Sequence, residues 1–267
     1  MSTPTESVKQ AQQRIWATGD FSVVGAGGVI VGELLCEAVR LHAGERVLDV
    51  ATGSGNTALS AARRGAEVVG VDFVPALLDR ARERAQAERF KKISFEAGDT
   101  ENLPFPDASF DAVLSTFGHM FAPDPVRAAQ EMVRVCRPGG RIGFAAWTPE
   151  GFTGQFFRTG AKYNPPPPGI PPPLLWGKED AVKERFPQAR KFAFERRNLI
   201  MRAPSPGQWL AMMREYFGPL NVAFHRLDTA GQEALTKDLL SLLETANQSG
   251  DATLFVPAEY LEAVAYL

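Results

Sequence analysis

Between residues 46 and 147 the chain alternates short apolar runs with segments of helical periodicity, and this alternation limits the fold more than any other feature. The apolar runs lie at 46–50, 67–71, 93–96, 110–115 and 141–147. Residues 56–64 read as a helix with Leu59 and Ala62 inward, Leu77, Ala81 and Ala85 share one face of a charged helix, and 126–136 reads as a third. Arg137-Pro138-Gly139-Gly140 then stops that helix and turns into the next strand. Strands separated by helices of this length predict a parallel sheet with helices on both faces, an α/β architecture.

The flanks read differently. Residues 5–18 read as a polar helix, followed by a loop through Gly25, Gly27 and Gly28 and by helical spacing over 29–41. After Trp147 comes an aromatic-rich stretch, 152–162, and then two proline runs, 165–168 and 171–173, which predict a stiff surface connection. Residues 191–201 read as a sixth strand, 208–217 and 230–247 as helices, and 252–267 as holding a last strand. One compact domain is expected, with a helical cap (1–40), a core (41–150), an insert (151–190) and a segment that completes the sheet and adds lid helices (191–267).

With 45% apolar and 22% charged residues, the chain can bury a sizeable core. A net charge of -2 argues against nucleic acid as a partner. Cys36 and Cys136 sit in apolar helical contexts and read as buried small hydrophobes, and no spacing suggests a metal cluster. The start is polar, without the apolar core of a signal peptide, and 21–32 is too short and glycine-rich to span a bilayer. A cytoplasmic protein with no membrane span is expected, and a homodimer is compatible with the composition.

Three acids fall at corresponding places: Asp49 late in the first strand, Asp72 after the second and Asp99 after the third. They lie 23 and 27 residues apart (72 − 49 and 99 − 72), one βα unit each, which puts all three at the carboxyl edge where open α/β sheets bind ligands. Any one of them alone reads as a turn or cap residue. Together, beside a glycine loop, they read as a site. Gly53 and Gly55 let a ligand approach the backbone closely. Asp72 can accept both ribose hydroxyls, Asp99 can accept from an adenine amino group while the Thr100 amide donates to a ring nitrogen, and Phe73 offers an apolar face. Asp49 can attract an ammonium group. Gly53 to Ala58 also fits the dinucleotide fingerprint, which makes a nicotinamide-dependent oxidoreductase the rival reading. Against it, Asp49 is badly placed beside a pyrophosphate, and Asp99 supplies an adenine acid that the nicotinamide pattern does not require.

The series V-L-D-V-A-T-G-S-G, V-V-G-V-D-F, A-G-D-T-E-N-L-P-F, F-D-A-V-L-S and V-C-R-P-G-G-R-I resembles the class I S-adenosylmethionine-dependent methyltransferases, in the branch that holds the ubiquinone and menaquinone methyltransferases. The resemblance covers about residues 40–150, with all motifs in order. It implies a Rossmann-like, seven-stranded, mostly parallel sheet whose last strand, 260–267, runs antiparallel. It also implies S-adenosyl-L-methionine as cofactor, with S-adenosyl-L-homocysteine as product. The implied contacts are Asp49, Thr52, Gly53 and Gly55 in the loop and Asp72 and Phe73 after the second strand. Asp99, Thr100 and Glu101 follow the third strand, and Ser115 and Phe117 follow the fourth. Ala51 stands where many members have glycine. Asp111 begins the fourth strand at the opposite edge and reads as a structural turn or cap.

Methyl transfer from a sulfonium is an in-line displacement, so alignment and water exclusion are the main tasks, and a base is required only if the acceptor must lose a proton. His119 is the histidine nearest the carboxyl edge, either as that base or as a residue lining the pocket; His42 and His225 read as surface residues. The acceptor pocket is expected from Trp16 to Phe21, Phe156, Phe157, Trp176, Met212, Met213, Tyr216 and Phe217, about half of which would instead form the core of the insert. These residues suit an apolar, aromatic or quinone-like small molecule. A non-catalytic S-adenosylmethionine-binding module is the third reading.

Overall fold

The computed structural model describes residues 4–167 and 169–267; Pro168, the end of the first proline run, and residues 1–3 lie outside the described residues. The chain begins with α1 (Pro4–Trp16), α2 (Phe21–Ala26) and α3 (Val29–Ala38). It continues through β1 (Arg46–Val50), α4 (Asn56–Arg63), β2 (Glu67–Asp72), α5 (Pro75–Ala87) and β3 (Ile93–Ala97). Next come β4 (Phe110–Thr116), α6 (Pro125–Val135), β5 (Cys136–Trp147), α7 (Phe152–Tyr163) and α8 (Glu179–Arg185). β6 (Lys191–Ala203), α9 (Pro206–Tyr216), α10 (Gly218–Arg226), α11 (Thr229–Ala246) and β7 (Leu254–Tyr266) complete it.

The seven strands form one sheet in the order β3-β2-β1-β4-β5-β7-β6. All neighbouring pairs are parallel except those of β7, which runs antiparallel to both β5 and β6. This is the expected Rossmann-like sheet, with an antiparallel strand inserted one place from the edge. Alternate residues of β1, Val47 and Leu48, enter two separate apolar clusters, as do Leu114 and Val113 of β4, so both faces of the central strands are buried. A sheet covered on both faces reads as near-continuous apolar runs, and those runs made it visible in the sequence. The strand order reverses between β1 and β4, so the β1 and β4 loops diverge at the carboxyl edge and leave a crevice there.

The helices start where capping chemistry directs. Asp124 accepts the Val126 and Arg127 amides ahead of α6, Ser205 accepts the Gln208 amide ahead of α9, and Asp228 accepts the Gly231 amide ahead of α11. Pro75, Pro125 and Pro206 occupy first-turn positions whose amides have no helical partner.

Three local expectations need correction. The glycine loop after α1 contains a helix, α2, started by Asp20, whose carboxylate accepts the Ser22 amide; Gly25 lies inside it. Arg137-Pro138-Gly139-Gly140 is not a turn before the strand but a bulge within β5. Phe110 pairs with Cys136, and the register then jumps so that Ala112 pairs with Arg141. Gly139 makes this bulge with φ +76°, a conformation that favours glycine. Finally, α10 lies between the two C-terminal helices read from the sequence. Its first residue, Gly218, approaches α1 so closely that a Cβ would meet the Ile15 carbonyl oxygen at 2.0 Å.

Candidate active site

The loop from β1 to α4 turns on three residues in the left-handed region: Ala51 (φ 52°), Gly53 (φ 54°) and Gly55 (φ 85°). Space around Gly53 is open, with nothing within 4 Å of where a Cβ would be, so a ligand can meet its backbone. Ala51 is in this region without glycine's freedom, and Phe117, after β4, shares the strain at φ 63°. The two loops touch there: a Cβ on Gly118 would lie 2.6 Å from both the Ala51 Cβ and its carbonyl oxygen. The bent backbone of Phe117 stacks its ring on Trp147 at the end of β5, with centroids 3.9 Å apart and planes 6° from parallel.

Asp72 closes β2 with both carboxylate oxygens engaged. Oδ2 accepts the Gly53 amide at 2.8 Å and Oδ1 the Val74 amide at 2.9 Å. Burial raises its pKa, opposed by these hydrogen bonds. A carboxylate offers about four acceptor positions, so two remain for ligand hydroxyls. Asp99 follows β3; it accepts the Glu101 amide at 2.9 Å and the Lys9 ammonium of α1 at 2.6 Å. Two further bonds tie α1 across this edge: Gln13 donates to the Phe73 carbonyl and Gln12 to the Phe121 carbonyl.

One cavity of about 420 Å³ adjoins these residues. Of the residues singled out in the sequence for cofactor binding, Thr52, Gly53, Asp72, Phe73, Asp99, Thr100 and Phe117 line it. Asp49, Gly55, Glu101 and Ser115 stand behind the wall. Asp49 is 1% exposed; its Oδ2 accepts the Ala58 amide of α4 at 2.9 Å and the Thr52 hydroxyl, and its Oδ1 has no hydrogen-bond partner among the described residues. Burial lifts its pKa to about 7. Glu101 accepts the Asp124 amide at 2.7 Å and pairs with Lys9, and Ser115 donates to the Val50 carbonyl at 2.6 Å. Gly55 packs on Ala81 and Phe95, where an added Cβ would come within 3.1 Å and 3.4 Å of them.

His119 is enclosed. It is fully buried, does not line the cavity, and is packed edge-on to Trp176 at 4.6 Å and against Phe144 at 4.8 Å. Among the described residues neither ring nitrogen has a hydrogen-bond partner, and burial, reinforced by Arg185, lowers its pKa to about 3. Both roles read from the sequence, base and pocket lining, need a ring facing the cavity, and the structure turns this one into the core. His42 and His225 are exposed, Cys36 and Cys136 are buried, and Asp111 accepts the Arg46 amide and pairs with Arg137 at the far edge. Among the described residues no group of His, Cys, Asp or Glu is arranged to hold a metal ion, and no helix is long and apolar enough to cross a membrane.

The far end of the cavity is aromatic. Trp16, Phe21, Phe156, Phe157, Met212, Met213 and Phe217 line it as read from the sequence; Trp176 and Tyr216 do not. The sequence reading missed Trp147, Phe152, Thr153 and Trp209, and residues 199–202 of β6. The signal for Phe152 and Thr153 was their spacing from Phe156 and Phe157, which puts all four on one face of α7.

A family model described as a methyltransferase domain matches residues 48–144. An uncharacterised protein of Mycobacterium tuberculosis is 37% identical over 244 residues, 88% of each chain. A second from that organism is 42% identical over 179 residues, where the match spans 66% of this chain and 65% of the relative's length. The demethylmenaquinone methyltransferase of Deinococcus radiodurans is 46% identical over 121 residues, 44% of this chain and 50% of that one. The fold is shared with the YcgJ protein of Bacillus subtilis (TM-score 0.59, 19% identity, 88% of this chain and 98% of that one). The chain belongs to the class I S-adenosylmethionine-dependent methyltransferases.

Proposed function

We propose that this chain transfers a methyl group from S-adenosylmethionine to a hydrophobic small molecule held at the aromatic end of the cavity. The observation that carries the reading is the continuity of one cavity from Asp72 and Asp99 to the walls formed by α7, α9 and β6. The residues at the polar end fit the cofactor. The open space at Gly53 admits its backbone approach, Asp72 keeps two acceptor positions for ribose hydroxyls, and Asp99 with Thr100 reads the adenine edge. Asp49 holds the loop to α4 from beneath, and its unpartnered Oδ1 suits an ammonium group reached through water. The cofactor supplies an electrophilic methyl on a sulfonium.

The chain's own share is alignment and dryness. Phe117 on Trp147, with Phe156, Phe157 and Trp209, holds a flat acceptor and excludes water; such positioning can provide several kcal/mol of the barrier reduction, on the order of 7–11 in favourable cases. Among the described residues, the titratable side chains on the wall are Lys9, Asp72, Asp99 and Arg202, and none is an imidazole or thiol. The acceptor atom we propose is therefore one that needs no protein base: an acidic phenol or enol already ionised, or an amine that is neutral at the working pH. A nicotinamide enzyme and a non-catalytic module gain no support from the fold or the relatives. Mass spectrometry of ligands retained by the purified protein tests the reading: S-adenosylmethionine or its homocysteine product with an apolar companion is expected. Retained nicotinamide dinucleotide, or a companion that is a sugar, peptide or nucleic acid, contradicts it.

A further inference from the structure

The two acids that face the cavity differ in how they are held. Asp72 is buried, whereas the Asp99 side chain is 39% exposed. A carboxylate so open to water must be held in place if it is to meet a ligand amino group without an ordering cost. The Asp99 Oδ1 is tied within its own loop by the Glu101 amide, and among the described residues its Oδ2 is tied by Lys9 Nζ, at 2.6 Å. The same Nζ lies 2.5 Å from the Glu101 carboxylate, whose side chain is 5% exposed. Two carboxylates thus meet at one ammonium, and without it their like charges would drive the exposed one, Asp99, toward water. Partial burial opposes the charge on Lys9, but its two partners outweigh that cost and raise its pKa.

Lys9 is delivered by a helix fixed at several other points. Lys9, Gln12 and Trp16 recur at helical spacing on α1, and all three line the cavity. Trp16 packs edge-on to Phe21, Phe121 and Phe217, while Gln12 and Gln13 donate to the Phe121 and Phe73 carbonyls. Each Asp99 oxygen keeps a second acceptor position for a ligand donor.

We infer that Lys9 is a positioning residue for the cofactor: from α1 it fixes the Asp99 carboxylate in the orientation that accepts the adenine amino group. The inference rests on the proposed Asp99 contact and deepens it. It gives a part in cofactor recognition to a helix outside the matched methyltransferase domain, residues 48–144.

S-adenosylhomocysteine and its analogue with purine in place of adenine differ by that amino group alone. Calorimetric titration compares the two on the wild type, Lys9→Met and Lys9→Arg. The wild type is expected to prefer S-adenosylhomocysteine by about tenfold or more, as a hydrogen bond to a charged group allows. Lys9→Met, similar in length and uncharged, brings the preference to within about threefold, chiefly by weakening S-adenosylhomocysteine. Lys9→Arg restores it, because a guanidinium can pair with both carboxylates. The ratio within each protein does not depend on how much of it is folded. A helix that merely covers the site weakens both ligands alike; a wild-type ratio in Lys9→Met overturns the inference and leaves the Asp99 contact standing. A ratio lost in Lys9→Met and not restored in Lys9→Arg also overturns it, since the charge is then not what holds Asp99. A wild-type ratio of one detaches Asp99 from the adenine and takes the inference with it.

Discussion

The two ends of the cavity are built on opposite principles. At the polar end the side chains are already held: Asp72 by two backbone amides, Asp99 by Lys9 and the Glu101 amide, and Asp49 by α4 and Thr52. Their geometry is set before a ligand arrives, which suits a cofactor of constant shape. At the aromatic end the walls are rings and methionines packed on one another, with Trp209 edge-on to Phe152 and Phe156. Such a surface fits by shape and adapts to its guest. A fixed polar end and an adaptable aromatic end suit the proposed roles of cofactor site and acceptor site.

The contrast can be broken at either end, and the largest effect is expected at the polar one. Asp72→Ala removes the carboxylate proposed to accept two ribose hydroxyls and unpairs the Gly53 and Val74 amides. Each hydrogen bond to a charged group is worth about 1.5–3 kcal/mol, so S-adenosylhomocysteine should bind at least ~100-fold more weakly by calorimetry. A loss under threefold would detach Asp72 from the cofactor. Phe156→Leu thins the aromatic wall instead. The kcat/KM for an acceptor should drop about tenfold while S-adenosylhomocysteine affinity stays within twofold, as expected for lost packing on one buried ring. Equal losses on both sides would mean that the ends are not separable.

Asp49 sharpens the comparison through pH. Its folded pKa of about 7 lies above the ordinary carboxylate value of 3.8, so the folded state binds the proton more tightly than the unfolded chain. Its contribution to stability is therefore greatest below about pH 4 and declines as pH rises to about 7. Denaturant titrations of Asp49→Asn across pH 4–8 should show that declining component removed; an unchanged slope would place the carboxylate in a more polar setting than the structure does. His119→Phe is expected to have the smallest effect. The ring is neutral well below pH 5 and makes no hydrogen bond, so turnover should stay within about threefold and the melting temperature should hold or rise. A catalytic base would forfeit about 10²–10⁴-fold.

The polar end was also the end legible in the sequence. Buried central strands read as apolar runs, and acids one βα unit apart can be located by counting, which places Asp72, Asp99 and the Gly53 loop at one edge of the sheet from the sequence alone. Counting did not tell which acids face the cavity. Asp49 and Glu101 share the motif but turn inward, one to the α4 amide and one to the amide of Asp124. The aromatic end was only half legible, because a ring that lines a pocket and a ring that fills a core have the same composition and spacing. Phe157 and Trp176 were indistinguishable until the fold put one on the wall and the other behind His119. The helix α2 was hidden by its glycines, and the β5 bulge by a Pro-Gly-Gly run that ordinarily ends an element.

The central claim is that one cavity joins an S-adenosylmethionine end to an apolar acceptor end. Incubating the protein with S-adenosylmethionine radiolabelled on the methyl group and a panel of phenols and quinols, then extracting into organic solvent, tests it most directly. The account predicts label in the organic phase at a rate cut about tenfold by Phe156→Leu and nearly abolished by Asp72→Ala. Label that stays in water on a polar or macromolecular product, or an organic-phase signal that Phe156→Leu leaves untouched, would contradict it.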